Sequence, residues 1–209
     1  ELGYKYASRN FMFNAAIFQT EIEGFQANNF DTSLGVTTTR LTNAGDVSTK
    51  GFEMDFMCRT TENLTLTGGL SKVDAQIDKF FCPIGEACTD RSGLDVPFSP
   101  DLKYNFAADY LIEMDNMDVI VNGAYVYTDE QRSTLPNNDG SFSAVSLLPD
   151  YALLNASVAL SFNDDAYRIT LFAKNITDES FFTTYSGDGF RYQVPRDADR
   201  TLGIQFRAN

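Results

Sequence analysis

Tyr151-Ala-Leu-Leu-Asn-Ala-Ser-Val-Ala-Leu-Ser-Phe162 alternates with a period of two: Leu154, Ala156, Val158, Leu160 and Phe162 share one parity, and Leu153, Asn155, Ser157, Ala159 and Ser161 share the other. One side is apolar and the other is small or polar, the pattern of a strand whose two faces meet different surroundings. After Asn163-Asp164-Asp165-Ala166 the alternation resumes, with Tyr167, Ile169, Leu171 and Ala173 opposed by Arg168, Thr170 and Lys174. The stretch Thr201 to Phe206 then sets Leu202, Ile204 and Phe206 on a single face. The segment therefore reads as strand, tight turn, strand, long loop and closing strand.

The same alternation runs back through the chain. Leu102, Tyr104, Phe106, Ala108, Tyr110 and Ile112 face away from Lys103, Asn105, Asp109 and Glu113, so every charge of that stretch lies on one side. Phe52, Met54, Phe56 and Cys58 oppose Glu53, Asp55, Met57 and Arg59, and Leu64, Leu66, Gly68 and Leu70 oppose Thr65, Thr67, Gly69 and Ser71. With Leu2 to Tyr6, Phe11 to about Ala27 and Asp118 to Thr128, about nine strands are expected. Short turns at 7–10, 60–63, 114–117 and 163–166 interleave with long polar connections at 28–49, 81–101, 129–150 and 175–199, with Asn43-Ala44-Gly45-Asp46 as a turn signal in the first of these. In an up-and-down sheet this gathers all turns at one end and all loops at the other, the plan of an all-β, antiparallel transmembrane barrel. A soluble β-sandwich also buries one face of each strand and is the competing architecture. Strands of ten or more residues and tyrosines near their ends (Tyr104, Tyr110, Tyr125, Tyr127, Tyr151, Tyr167), where interfacial girdles sit, favour the barrel.

Composition narrows the chemistry. A net charge of −13 with no basic stripe argues against nucleic acid as a partner. No apolar run approaches the ~20 residues of a membrane-spanning helix. The chain opens at Glu1 without a leader pattern, as a mature or partial chain would. Histidine is absent, which removes Ser-His-Asp hydrolysis and His-ligated zinc together, so an enzyme is not expected. No cofactor and no metal site is read, because the loop acids lack a calcium-binding spacing. Of three cysteines, Cys82 and Cys88 flank a Pro- and Gly-containing stretch, and a disulfide between them is favoured over two free thiols. Cys58 falls on the apolar parity of its strand as a small hydrophobe.

Ala173-Lys174-Asn175-Ile176-Thr177-Asp178-Glu179-Ser180-Phe181, followed by Pro195-Arg196 and an apolar closing strand, resembles the C-terminal barrel end of TonB-dependent outer-membrane receptors. Asn43-Ala44-Gly45-Asp46 with Lys50-Gly51-Phe52-Glu53, and Pro97-Phe98-Ser99-Pro100, are similar to motifs that open strands in that family. The resemblance spans essentially residues 1–209 and implies the C-terminal portion, about nine strands, of a plugged barrel of about 22. It implies an active transporter of the Gram-negative outer membrane, importing a scarce nutrient such as a ferric siderophore, with TonB, the substrate and outer-membrane lipid as partners. The plug and the earlier strands are expected upstream. Passive porins and a secreted carbohydrate-binding sandwich are the alternatives. Anionic ferric chelates call for cations and aromatics, so Arg91, Arg132, Tyr185, Arg191 and Tyr192 are the candidate substrate contacts, and Lys103, Asp109, Glu53, Asp55 and Arg168 are expected to face the lumen.

Overall fold

A computed structural model describes the chain apart from residues 32–37, 83–88, 137–139, 143–145, 186–191, 194 and 196–197, and apart from the side chains of 27–31, 38–42, 185, 192 and 193. The described residues form β1 (Leu2–Ala7), β2 (Phe11–Asp31), β3 (Thr38–Arg59), β4 (Leu64–Phe80), β5 (Leu102–Glu113), β6 (Met117–Thr128), β7 (Gln131–Arg132), β8 (Leu147–Leu148), β9 (Tyr151–Phe162), β10 (Tyr167–Lys174), β11 (Thr184–Tyr185), β12 (Tyr192–Gln193) and β13 (Thr201–Ala208). One nine-stranded sheet takes them in the order β1-β2-β3-β4-β5-β6-β9-β10-β13, every neighbour antiparallel. Two-stranded ribbons β7–β8 and β11–β12 decorate the long connections. The sheet is a meander, and β1 and β13 form its two edges.

Cross-strand register joins the apolar parities into one surface. Ala108, Gly123, Ala156, Ala173 and Leu202 form a single transverse row, and Tyr110, Val121, Val158, Leu171 and Ile204 form the next. Among the described residues no second layer covers this face: Leu171 is 59% exposed, Leu202 74% and Ile204 70%. A sandwich would bury these side chains, so the single sheet excludes it. The opposite face is concave and polar, enclosing about 590 Å³ lined by Lys5, Asn14, Glu53, Asp55, Lys103 and Asn105 among others. There Asn14 donates to Asp55 Oδ2 at 2.8 Å and Asn122 to Asp109 Oδ1 at 2.8 Å. A polar concavity behind an unpartnered apolar belt is the section of a barrel wall that faces lipid outward and water inward. The 12-residue strands β5, β6 and β9 are each about 40 Å long, enough to cross the ~25 Å belt at the usual tilt.

Aromatic side chains edge the belt. Tyr104 stacks on Tyr125 and Tyr127 at 5.9 and 4.9 Å toward the loop end, and Tyr167 stacks on Phe206 at 6.3 Å toward the turn end. Tyr151 departs from the expected girdle. It pairs with Thr128 on the polar parity and stacks on Phe181 at 4.4 Å, so it anchors the last loop instead.

The first long connection also differs from expectation. Residues 38–49 are strand, and β2 and β3 run 21 and 22 residues, carrying the sheet well beyond the belt. Asn43–Asp46 is a bulge within β3, not a turn between strands: Gly45 has φ 138°, and the register shifts around Ile22, Phe25 and Asp46. The same chemistry serves both uses, since Gly accepts a positive φ and Asn43 Oδ1 accepts from Gly45 N at 3.1 Å. Asp46 then ties three strands, accepting from Gly24 N at 3.0 Å and from Lys79 Nζ at 2.8 Å.

At the turn end, Asn163, Asp164 and Asp165 all hold positive φ, and the Asp165 carboxylate gathers three strands. It accepts from Ser161 Oγ at 2.6 Å, Arg168 Nε at 2.9 Å and Arg207 Nη2 at 2.7 Å. The Ser161 hydroxyl foremost, then the two guanidiniums, lower the pKa of Asp165. A depressed carboxylate stabilises the fold fully above its unfolded value of about 3.9 and loses that contribution as pH falls through the lower folded value. In the full-length receptor we expect amide-exchange protection at Arg207–Asn209 to hold from neutral pH down to about 4 and to fall below it. D165N should lack the protection at every pH; a wild-type profile in the variant would refute the clamp.

Candidate functional site: the cluster at the loop end

Described residues of the long connections bond back to the sheet and to one another. Edge groups of β4 beyond its last partner in β5 are taken by the following loop: Ile77 N donates to Leu94 O, Gly93 N to Ile77 O and Val96 N to Ala75 O, all within 2.9 Å. This loop and the one after β6 fold together, and most of the buried apolar side chains among the described residues lie here. Ile77, Ala75, Leu148, Ser146 and Ser133 are all buried, Leu148 to 1% exposure. A wall with lipid on one side and water on the other needs no core of its own, whereas loops that must keep one shape do.

Two of the expected substrate contacts hold this cluster together. The Arg91 guanidinium lies 4.7 Å from the Phe80 ring centre, and its Nη2 donates to Pro136 O at 2.9 Å, joining the two loops. Burial lowers its pKa, although a guanidinium stays charged at any physiological pH. Arg132 stacks over Phe142 at 3.9 Å, donates to Ser146 Oγ at 3.3 Å, and through its carbonyl accepts from Phe98 N at 2.8 Å. Together with Leu94, Asp95 and Leu135 it borders a small cleft of about 180 Å³. Stacking and direct hydrogen bonds of this kind fix long cationic side chains in place.

Tyr185 and Tyr192 are register partners in the backbone of the β11–β12 ribbon in the last loop. Arg191 lies outside the described residues, as do Cys88 and the proposed Cys82–Cys88 pairing. The expected lumen residues Glu53, Asp55 and Lys103 line the polar concavity. Among the described residues no group of three or more Asp, Glu, Cys or His side chains is arranged to hold a metal ion. Asp90 is instead engaged by Ser92 N and Oγ at 2.9 and 2.7 Å, and Ser92 foremost lowers its pKa.

One residue carries more than its motif suggested. Asn175, at φ 47° and 3% exposed, ends β10 and closes the base of the last loop. Its Nδ2 donates to Ala198 O at 2.6 Å and Glu179 O at 2.8 Å, and its Oδ1 accepts from Glu179 N at 2.9 Å. Its own N–H donates to Asn155 Oδ1 on β9 at 2.9 Å. Asp178 adds a second tie, accepting from Arg200 N at 3.2 Å. An Asn just past a strand, in Asn175-Ile176-Thr177-Asp178, was the available signal, because Asn tolerates the left-handed region and supplies both donor and acceptor.

Comparison with known proteins agrees with this architecture. Residues 1–176 match the family described as TonB dependent receptor-like, beta-barrel. Among solved structures, the ferric yersiniabactin uptake receptor FyuA from Yersinia pestis superposes with a TM-score of 0.76 at 18% identity, over 99% of this chain and 28% of its own. The siderophore receptor PiuA from Acinetobacter baumannii gives 0.70 at 18%, over 98% and 26%. The copper transporter OprC gives 0.67 at 12%, over 98% and 30%. The chain thus spans less than a third of the length of these structures, and they share its fold. It belongs to the TonB-dependent receptor family, as a C-terminal portion of its up-and-down β-barrel.

Proposed function

We propose that this chain is the C-terminal wall of an active importer in the outer membrane of a Gram-negative bacterium, and that its substrate is a ferric siderophore. What supports the reading is the two-sided wall of a TonB-dependent receptor barrel crowned at the loop end by a cluster in which Arg91 stacks on Phe80 and Arg132 on Phe142. FyuA is a ferric yersiniabactin uptake receptor, PiuA a siderophore receptor and OprC a copper transporter, so the test must include both ferric chelates and copper. Under this reading the plug, the remaining strands and the contact with TonB lie in the rest of the receptor. Arg91, Arg132, Tyr185, Arg191 and Tyr192 form this chain's share of the substrate mouth, with Arg91 and Arg132 acting through the loop shape they hold.

The deciding measurement is accumulation of iron from a panel of labelled ferric chelates, and of copper, in cells carrying or lacking the full-length receptor, with and without functional TonB. Receptor- and TonB-dependent iron accumulation from at least one chelate is expected. Receptor-dependent uptake that ignores TonB would make it a passive porin, and copper uptake alone would displace the siderophore.

We further propose the Cys82–Cys88 disulfide. Cys82 is in the bonded state while Cys58 is a free thiol, and the chain has three cysteines. Alkylation of this segment under denaturing, non-reducing conditions should label Cys58 alone, and all three cysteines after reduction. Labelling of all three before reduction would refute the pairing.

A further inference from the structure

The water-facing parity of β2 and β3 is interrupted at one row. Asn14 and Asp55 occupy that face with a bond of 2.8 Å between them, and two residues nearer the turns Met12 and Met57 stand directly opposite one another. Ala7 flanks Met12 on β1 and Thr67 flanks Met57 on β4, so no bulky neighbour in the row covers the thioethers. Met12 is 47% and Met57 45% exposed. Residues opposed across an antiparallel pair hold their Cβ atoms about 5 Å apart. A methionine side chain turns about three bonds, enough for both sulfurs to meet on a single ion.

The donors narrow what that ion is. Thioether sulfur is neutral and soft and has no proton to displace, and such donors select Cu(I) over Ca(II), Mg(II) and other hard ions. The charged groups nearby on the same face are Lys5 and Asp55 in the adjoining row and Arg59 two residues past Met57. Two cations against one carboxylate give a hard dication nothing to hold. Histidine is absent from the chain, and Cys58 lies on the opposite, apolar parity, so the two thioethers are the soft donors of this row.

We infer that Met12 and Met57 form a binding site for one Cu(I) ion on the water-facing wall near its turn end. This site stands apart from the ferric siderophore reading, because it holds an ion on the wall whatever substrate crosses the barrel. Exposed apolar side chains also serve as contacts for another segment of a protein. Leucine separates the two uses, since Met→Leu keeps the volume and the apolar contact and removes the sulfur.

The test uses the purified full-length receptor in detergent, with Cu(I) kept reduced by ascorbate and titrated against a chromogenic Cu(I) chelator. M12L and M57L should each hold one Cu(I) fewer per receptor than wild type, a weakening of at least about tenfold at this site. The double variant should lose no more than either single one, because both sulfurs serve the same ion. M54L, altered on the apolar face, should bind as wild type does, and all four variants should unfold at the wild-type temperature without metal. Wild-type Cu(I) binding in M12L and M57L overturns the site and leaves the pair as a contact for the rest of the receptor. Additive losses in the double variant, or Zn(II) binding that falls in parallel with Cu(I), overturn it as well. Loss of Cu(I) only together with unfolding at a lower temperature would mark a structural role and equally overturn it.

Discussion

Replacing Asn175 by Asp is expected to release the last loop from the barrel wall, the largest single-residue effect the structure foresees. The two side chains have nearly the same shape. Asn175 Nδ2, however, donates to the carbonyls of Ala198 and Glu179, and Asp puts a carboxylate oxygen where that donor stood. Two carbonyls and an anion would face one another at a site 3% exposed to water. Each buried group left unpaired costs about 1–3 kcal/mol, and more when it is charged. A graded series separates the causes. Gly keeps the φ of 47° and loses only the side-chain bonds; Ala loses the bonds and adds about 1 kcal/mol of backbone strain; Asp adds repulsion. The expected order of loop release, read as protease cleavage between 176 and 200 in full-length receptor, is wild type, N175G, N175A, N175D, with the total loss in the last about 4 kcal/mol. Wild-type resistance in N175D would mean that the latch does not hold the loop.

Gly45→Ala should open the extension of the wall beyond the belt. A Cβ at Gly45 would stand 1.8 Å from Lys79 O and 2.8 Å from Lys79 C. Both are backbone, so no rotamer relieves the contact, and β3 and β4 must part. The φ of 138° lies in a region used almost only by Gly and costs up to about 3 kcal/mol on its own. Separation also pulls Asp46 from Lys79, whose 2.8 Å pair crosses the same two strands. The damage should stay local, because residues 47–59 pair in continuous register below the bulge. Increased amide exchange at 43–46 and 78–81 with unchanged barrel stability is the expected result. Global loss of the folded receptor, or no change at all, would show that the bulge is not the hinge of the extension.

What could be read in advance follows from solvent. Within the belt each strand has lipid on one side and water on the other, so the sequence must alternate, and β9, whose bounds Tyr151–Phe162 match the expected ones, needed no structural help. Above the belt that constraint lapses. Thr38 to Thr49 carries no apolar side and reads as loop, although it is strand. Tyr151 shows a subtler limit: its place near a strand end suggested a girdle, but its parity put it against Phe181. Candidate contacts fared according to the length of chain they span. Arg91 meets Pro136 across 45 residues and Arg132 meets Ser146 across 14, and neither distance leaves a periodic trace.

The sequence by itself determined the class, strand count, two-sidedness and polarity of ends of this barrel wall, because a bilayer imposes a period of two on every strand that crosses it. It also carried, in Lys174–Phe181, the motif of the family. Only the tertiary structure decided that Asn43–Asp46 bends a strand where a turn was expected, that Asn175 closes the last loop, and that Arg91 and Arg132 tie the loops after β4 and β6 together. Those outcomes depend on hydrogen bonds and stacking between segments far apart in the chain, which no local pattern of hydrophobicity encodes.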